Sequence, residues 1–191
     1  MESVTIKIMA ENTVREEGLL AEHGLSFWIK IGTEEYLFDT GQGLVLKNNV
    51  RELGINLAQL AGVILSHGHY DHGGGLADVL AENPEAVVYA HPDVFVNRYS
   101  REKDELELRG LEVSQGDINH FVPTAVPTEI NEQLQAIGEV PRQNDWEVIS
   151  DKYRVKRNGE LIADDFRDDQ ALMVEIEAGI VVVLGCTHAG V

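Results

Sequence analysis

The chain has 191 residues, of which 43% are hydrophobic, so it can form one globular domain with a real core. Its formal net charge of −18 excludes a broad basic surface that could bind nucleic-acid phosphates. An anionic membrane surface would also repel a chain of this charge. The single cysteine, Cys186, excludes an intramolecular disulfide and fits a reducing cytoplasm.

The N-terminal third predicts strands rather than a targeting segment. Val4, Ile6 and Ile8 alternate with polar residues, and no basic region is followed by a long apolar run. The segments SFWIKIG and EYLFDTG predict two more strands around a Gly-Thr-Glu turn, the second ending at Asp39. The longest apolar run, GIVVVLG, is too short to cross a bilayer.

The following segments alternate between helix and strand. GLVLKNNVRELG has apolar residues at helical spacing and ends at Gly54, and GGLADVLAENP predicts a second helix stopped by Pro84. AGVILSH and AVVYAHPD are short, apolar and typical of buried strands, the latter ending at His91. This alternation predicts an α/β fold with functional groups at the carboxyl ends of the strands.

The second half is less regular. Residues 99–167 are more charged and contain three of the five prolines, which predicts an insertion or lid. Within that segment, WEVISDKYRVKRNGELI predicts a hairpin through Asn158-Gly159. ALMVEIEAGIVVVLGCTHAG then predicts a hairpin of residues 171–177 and 180–184.

The most informative stretch is SHGHYDHGGG, residues 66–75, which holds three of the seven histidines. Residues two apart on an extended segment point the same way, so His67 and His69 can grip one ion. Asp71 and His72 lie just past them, where a turn can direct both to a second position. The spacing therefore predicts two adjacent metal sites, and the alternative is a polar, histidine-rich surface loop.

With this motif, the sequence resembles the metallo-β-lactamase fold superfamily. The match rests on His67-Gly-His69-Tyr-Asp71-His72 and on YLFDTG, which is similar to the superfamily's first motif. The segments AEHGLSFWI, LFDTGQG, LSHGHYDHGGGL, VYAHPD and VVVLGCTHAGV resemble one group within it. Members of that group are called 7,8-dihydropterin-6-methyl-4-(β-D-ribofuranosyl)aminobenzene-5′-phosphate synthase or metal-dependent hydrolase.

The resemblance implies an αββα sandwich with a dinuclear site at one edge of the sheets. His67 and His69 would hold the first divalent metal, and Asp71 and His72 the second. Asp39 would fix the motif loop by hydrogen bonds. His188 is the additional ligand that the resemblance implies, against the alternative of an ordinary loop histidine. Zinc is the favoured metal, with manganese or iron as alternatives.

The sequence departs from the family at its end. Related chains continue for several dozen residues after THAGV and supply a closing helix and strand and a last histidine ligand. Here the sequence stops at Val191, which predicts a fragment or a shortened gene product with an incomplete second metal site and one uncovered sheet edge or face. Cys186 lies close to where other members place a bridging aspartate, but a small buried thiol is its more frequent role.

Other polar residues have ordinary explanations beside functional ones. His23 and His91 are candidate pocket residues, although a capped loop histidine and a structural histidine before Pro92 are their alternatives. His120 is expected at the surface. The run ADDFRDD, residues 163–169, lacks the spacing of a calcium loop, so we expect a solvated turn.

The sequence thus predicts a cytoplasmic metallohydrolase. A metal-bound hydroxide would attack a small phosphorylated or ester substrate, with Asp71 as the catalytic residue that orients the nucleophile. The alternatives are a synthase-type transferase of the pterin pathway and a non-catalytic protein that binds a metal or a ligand. Nucleic acid and membranes are not expected partners, and the sequence leaves oligomerisation open.

Overall fold

A computed structural model of the chain describes residues 1–102, 105–143, 146 and 148–190. The described residues form fourteen strands: β1 (Val4–Ala10), β2 (Ser26–Ile31), β3 (Glu34–Phe38), β4 (Gly62–Ile64), β5 (Val87–Ala90), β6 (Arg98–Glu102), β7 (Glu105–Leu108), β8 (His120–Pro123), β9 (Thr128–Asn131), β10 (Leu134–Ala136), β11 (Tyr153–Arg157), β12 (Glu160–Ala163), β13 (Leu172–Ile176) and β14 (Gly179–Val183). They also form three α-helices: α1 (Leu46–Glu52), α2 (Tyr70–Gly73) and α3 (Leu76–Glu82).

The first sheet has six strands in the order β1-β2-β3-β4-β5-β8. The strands β1, β2 and β3 pair antiparallel, whereas β3, β4, β5 and β8 run parallel. Because the carboxyl ends of parallel strands meet at one edge, Asp39 after β3 and Ser66 after β4 come to the same place. This edge carries the quoted motif.

The first sheet packs helices on one face. Apolar side chains of α1 and α3, among them Leu46, Val50, Leu76 and Val79, lie in one buried cluster with Leu37 and other residues of the sheet. Burying such a side chain fully contributes about 1.5–3 kcal/mol to the free energy of unfolding, so the helices stabilise the sheet that carries the motif. Among the residues that the structure describes, no helix has the length and apolar character needed to span a bilayer.

The other face of the first sheet packs against a second sheet, β14-β13-β10-β9. Ile29, Phe38 and Ile64 of the first sheet share a buried cluster with Leu172 and Val174 of β13. The predicted α/β sandwich is therefore confirmed. On β14, the apolar side chains of Ile180 and Val182 are exposed, at 60% and 55% of their full area.

The strands β12-β11-β6-β7 form a third, separately hydrogen-bonded sheet. Its β11 and β12 form the hairpin predicted through Asn158-Gly159, both in the left-handed region with φ of 52° and 86°. The segment 99–167, which the sequence predicts to be a lid, also supplies β8 to the first sheet and β9 and β10 to the second. Its role as a lid stays a prediction. Charge and proline content did not separate these core strands from the third sheet.

Candidate metal centre

Four of the predicted ligand side chains converge at the edge described above. His67 and His69 follow β4, His72 lies on the short helix α2, and His188 follows β14. The ring centroid of His67 lies 4.3 Å from that of His72 and 4.7 Å from that of His69. The ring centroid of His188 lies 5.1 Å from that of His67. Two loops far apart in sequence thus supply one cluster of imidazoles.

Asp39 lies behind this cluster and accepts hydrogen bonds from the motif. Its carboxylate accepts from the backbone N–H of Ser66 at 2.7 Å and from the Ser66 hydroxyl at 2.6 Å. The same carboxylate lies 2.6 Å from Nδ1 of His72, and Asp39 is fully buried. Its φ of 60° places it in the left-handed region, which Asp tolerates better than most residues. This arrangement occupies Nδ1 of His72 and leaves its Nε2 facing Cys186 and Asp71.

Burial and one ion pair set the pKa values of the four histidines. Burial and the three neighbouring imidazoles lower the pKa of His67 well below its usual value. Burial also lowers the pKa of His69 to about 2 and that of His188 to about 4. For His72, burial acts in the same direction, but the ion pair with Asp39 outweighs it and raises the pKa to about 11. Three imidazoles are therefore neutral, which is the state that binds metals.

Asp71 and Cys186 approach His72 from the open side. Asp71 Oδ2 lies 3.9 Å from His72 Nε2, and the Cys186 Sγ lies 3.0 Å from the same nitrogen. Asp71 Oδ2 also lies 3.3 Å from Nε2 of His23, whose side chain is 70% exposed. His23 is therefore at the rim of the site, as a pocket residue would be.

Cys186 was not predicted as a ligand, and its expected role as a small buried thiol is wrong because the thiol is exposed. Its Sγ and one nitrogen each of His67 and His188 lie within 4.8 Å of one another, close enough to share a metal ion. The signal in the sequence was the position of Cys186, close to where related proteins place a bridging aspartate. A buried thiol was expected instead, because thiols are more often buried than bound to a metal.

The donor set fits a divalent metal. His188 Nε2 and Asp169 Oδ1 are buried and have no hydrogen-bond partner among the described residues. A buried polar atom without a partner costs about 1–3 kcal/mol and is usually satisfied by a water or an ion. Imidazole, thiolate and carboxylate together suit zinc and other first-row metals. The ligand roles of the individual residues remain predictions.

The run ADDFRDD is not the solvated turn that the sequence predicts. Asp164, Asp168 and Asp169 are almost completely buried, and the Phe166 ring stacks on His188 with centroids 4.0 Å apart. Burial raises the pKa of Asp169 to about 7, although the backbone N–H of Ala189 donates to it. The expectation failed because a buried arginine, Arg98, compensates Asp164 and Asp168.

Two other histidines lie outside the centre. His91 is buried, accepts from the Asp93 N–H at its Nδ1 and pairs with Glu139 at 3.0 Å, so its structural alternative describes it better than a pocket role does. His120 is half exposed and pairs with Glu85, as expected of a surface residue.

The centre opens into a cleft whose far wall comes from the third sheet. Tyr153 of β11 and the adjacent Lys152 line it, together with Arg109, which follows β7. The Arg109 guanidinium lies over the ring of Tyr70, 5.4 Å from its centroid. Lys152 Nζ lies 3.9 Å from a carboxylate oxygen of Glu102. In a chain of strongly negative net charge, two cations thus line the same cleft as the candidate ligands, with Glu102 also in its lining.

Comparison with known proteins agrees with this geometry. Residues 20–189 match the family model described as Metallo-beta-lactamase superfamily. An uncharacterized protein of Methanocaldococcus jannaschii is 31% identical over 97% of the chain and 70% of its own length. The 7,8-dihydropterin-6-methyl-4-(β-D-ribofuranosyl)-aminobenzene-5′-phosphate synthase of the same organism is 29% identical over 90% of the chain and 63% of its own length.

A solved structure shares the fold over nearly the whole chain. The crystal structure of a metal-dependent hydrolase of the β-lactamase superfamily superposes with a TM-score of 0.78 at 30% identity. The superposition covers 97% of this chain and 66% of that protein. The chain thus spans about two thirds of the length of the relatives that it matches.

Proposed function

Because the chain belongs to the metallo-β-lactamase superfamily, we propose that it is a metal-dependent hydrolase of a small anionic ester, such as a phosphoester or a thioester. The observation that carries this proposal is the convergence of His67, His69, His72 and His188 at the floor of an open cleft, with the Nε2 of His188 buried and unpartnered. A purely structural cluster would have satisfied that nitrogen with a protein partner.

Two divalent metals would be held by five side chains, those of His67, His69, Asp71, His72 and His188. Cys186 would be a further ligand. Bound metals of this kind lower the pKa of water towards neutrality and stabilise developing negative charge. The favoured metal is zinc, and manganese or iron would suit the nitrogen and carboxylate donors as well. A reducing compartment such as the cytoplasm would keep the Cys186 thiol available.

Asp71 is the residue we assign to orient the attacking water. Its side chain is 13% exposed, which places it between the buried histidines and the solvent of the cleft. The carboxylate can accept a proton from water and hold it near the leaving group. His23, 3.3 Å from this carboxylate, would hold it in place from the rim.

The cleft supports an anionic substrate of small size. Arg109 and Lys152 line the cleft together with His69 and His188 and can pair with a phosphate or carboxylate group. A polynucleotide would meet repulsion from the rest of a surface with a net charge of −18. Specificity would therefore come from the third sheet, which supplies the far wall of the cleft.

A synthase-type reaction of the pterin pathway is the second candidate. It is supported by the name of the Methanocaldococcus jannaschii synthase, which is 29% identical over 90% of this chain and 63% of its own length. The same metals and cations could serve a phosphorylated ribosyl substrate. A third candidate, a protein that binds metal without turnover, shares the ligands and differs only in activity.

One experiment separates these candidates. The purified protein is loaded with zinc or manganese and assayed on chromogenic phosphomonoester, phosphodiester and thioester substrates. We expect turnover of at least one, and a loss of at least about 100-fold in His69→Ala, as for removal of a catalytic group. His120→Ala removes an exposed histidine outside the centre and serves as the matched control. Bound metal without turnover of any substrate would contradict the hydrolase and favour the other candidates.

A further inference from the structure

A buried ion-pair network lies directly behind the metal-binding motif and takes no part in the proposed chemistry. At its centre is Arg98 of β6, whose side chain is fully buried. Its Nε donates to Asp164 at 2.9 Å, and its Nη2 donates to Asp168 at 2.6 Å. Its Nη1 donates to the carbonyl oxygen of Asp93 at 3.0 Å. Because three partners hold the guanidinium, its position is fixed.

Asp168 connects this network to the motif. While Oδ1 accepts from Arg98, Oδ2 accepts from the backbone N–H of Gly68 at 2.7 Å. Gly68 is the residue between His67 and His69, so this bond holds the backbone that orients both imidazoles. The two bonded residues are 100 positions apart in the chain.

The close approach of the network explains why residue 68 is glycine. A Cβ on Gly68 would overlap the carbonyl oxygen of Val94 and the guanidinium of Arg98. Only a residue without a side chain lets the backbone come within bonding distance of Asp168. The network and the motif loop are therefore packed directly against each other at Gly68.

We propose that Asp168, anchored by Arg98, is a positioning residue that holds the His67-Gly68-His69 backbone in its metal-binding conformation before the metal arrives. This inference rests on the proposed metal centre. Hydrogen-bonded groups behind metal ligands typically contribute about 10- to 100-fold in metal affinity. The structure places such a group on the backbone between two ligands rather than on an imidazole.

Asp164 provides a matched control inside the same network. It is as deeply buried as Asp168 and pairs with the same arginine, but its second oxygen accepts from the backbone N–H of Phe166 and not from the motif. Asp164→Asn and Asp168→Asn each remove one buried charge beside Arg98. Only in Asp168→Asn must the single remaining oxygen serve both Arg98 and the Gly68 N–H, so either the bond to the motif or its anchor is lost.

The experiment measures Zn²⁺ affinity by chelator competition, the visible absorption spectrum of the Co²⁺-loaded protein, and urea unfolding of the metal-free protein. We expect Asp168→Asn to weaken Zn²⁺ binding by about 10- to 100-fold and to alter the Co²⁺ spectrum. Asp164→Asn should lose similar stability yet weaken Zn²⁺ binding clearly less than Asp168→Asn, because Asp164 reaches the centre only through Phe166, whose ring stacks on His188. Equal losses of affinity in both variants, or none in either, would overturn the proposal.

A second measurement does not depend on the folding of a variant. In the unsubstituted, metal-free protein, the Gly68 amide should be protected from hydrogen exchange and should shift little when Zn²⁺ is added. Free exchange of that amide before metal addition would refute a preformed loop. If the unsubstituted protein binds no Zn²⁺ at all, the proposed function fails instead, and the protection of Gly68 still reports on the bond.

Discussion

Replacing Arg98 by methionine tests the energetic reasoning about the buried network. Arg98→Met keeps much of the volume of the side chain but leaves the carboxylates of Asp164 and Asp168 buried without their cation. Breaking a buried pair by removing one partner typically costs about 3–5 kcal/mol, because a buried charge is left uncompensated. We expect a loss of that size in the free energy of unfolding at pH 8.

The loss should become smaller as the pH falls. Burial raises the pKa of Asp168 and Arg98 opposes that rise, so removing the guanidinium raises the pKa further. A carboxyl whose pKa is higher in the folded than in the unfolded state favours folding at low pH, and this contribution disappears as the pH rises through the folded pKa. Each unit of additional pKa shift corresponds to about 1.4 kcal/mol. Arg98→Met should therefore be visibly less destabilising at pH 5.5 than at pH 8.

Urea unfolding of the metal-free protein at the two pH values measures the effect. Arg157→Met is the matched control, because Arg157 also pairs with two carboxylates, Asp93 and Asp165, but has a side chain that is 23% exposed. Because these pairs keep contact with solvent, this control should lose clearly less free energy of unfolding than Arg98→Met. A loss in Arg98→Met below about 1 kcal/mol, or one of equal size at both pH values, would refute the reasoning.

Three further predictions concern the site and the sheet surface. Cys186→Ser should abolish thiolate-to-metal charge-transfer absorption in the Co²⁺-loaded protein, since the chain has one cysteine; a surviving band would show that the thiol is not a ligand. Replacing Arg109 and Lys152 together by alanine should raise the KM for an anionic ester about tenfold with little change in kcat, while a neutral analogue is unaffected. An equal effect on both substrates would argue against an anion-binding wall. Val182→Lys, on the exposed side of β14, should change the free energy of unfolding by less than about 0.5 kcal/mol in urea titrations. A loss above about 2 kcal/mol would mean that this side chain is covered in the folded protein.

Local patterns determined much of the architecture. Alternation in β1, continuous apolar residues in β4 and helical spacing in α1 and α3 each fixed an element, because the period of apolar residues follows directly from backbone geometry. The turn at Asn158-Gly159 was predictable from local sequence for another reason: few residues other than Asn and Gly adopt left-handed conformations at low cost. The motif after β4 located the candidate metal centre, because the spacing of its histidines is visible within a few residues of sequence.

The tertiary structure decided the parts that depend on distant partners. Asp168 looks solvated in sequence because it lies in a run of charged residues, but its partners in the fold are Arg98, 70 positions away, and Gly68, 100 positions away. The structure decided between the two alternatives for His91 and showed that Cys186 is exposed, because burial depends on which loops meet at the sheet edge. Desolvation and ion pairing are set by distances in space, and a sequence carries those distances only through the complete fold.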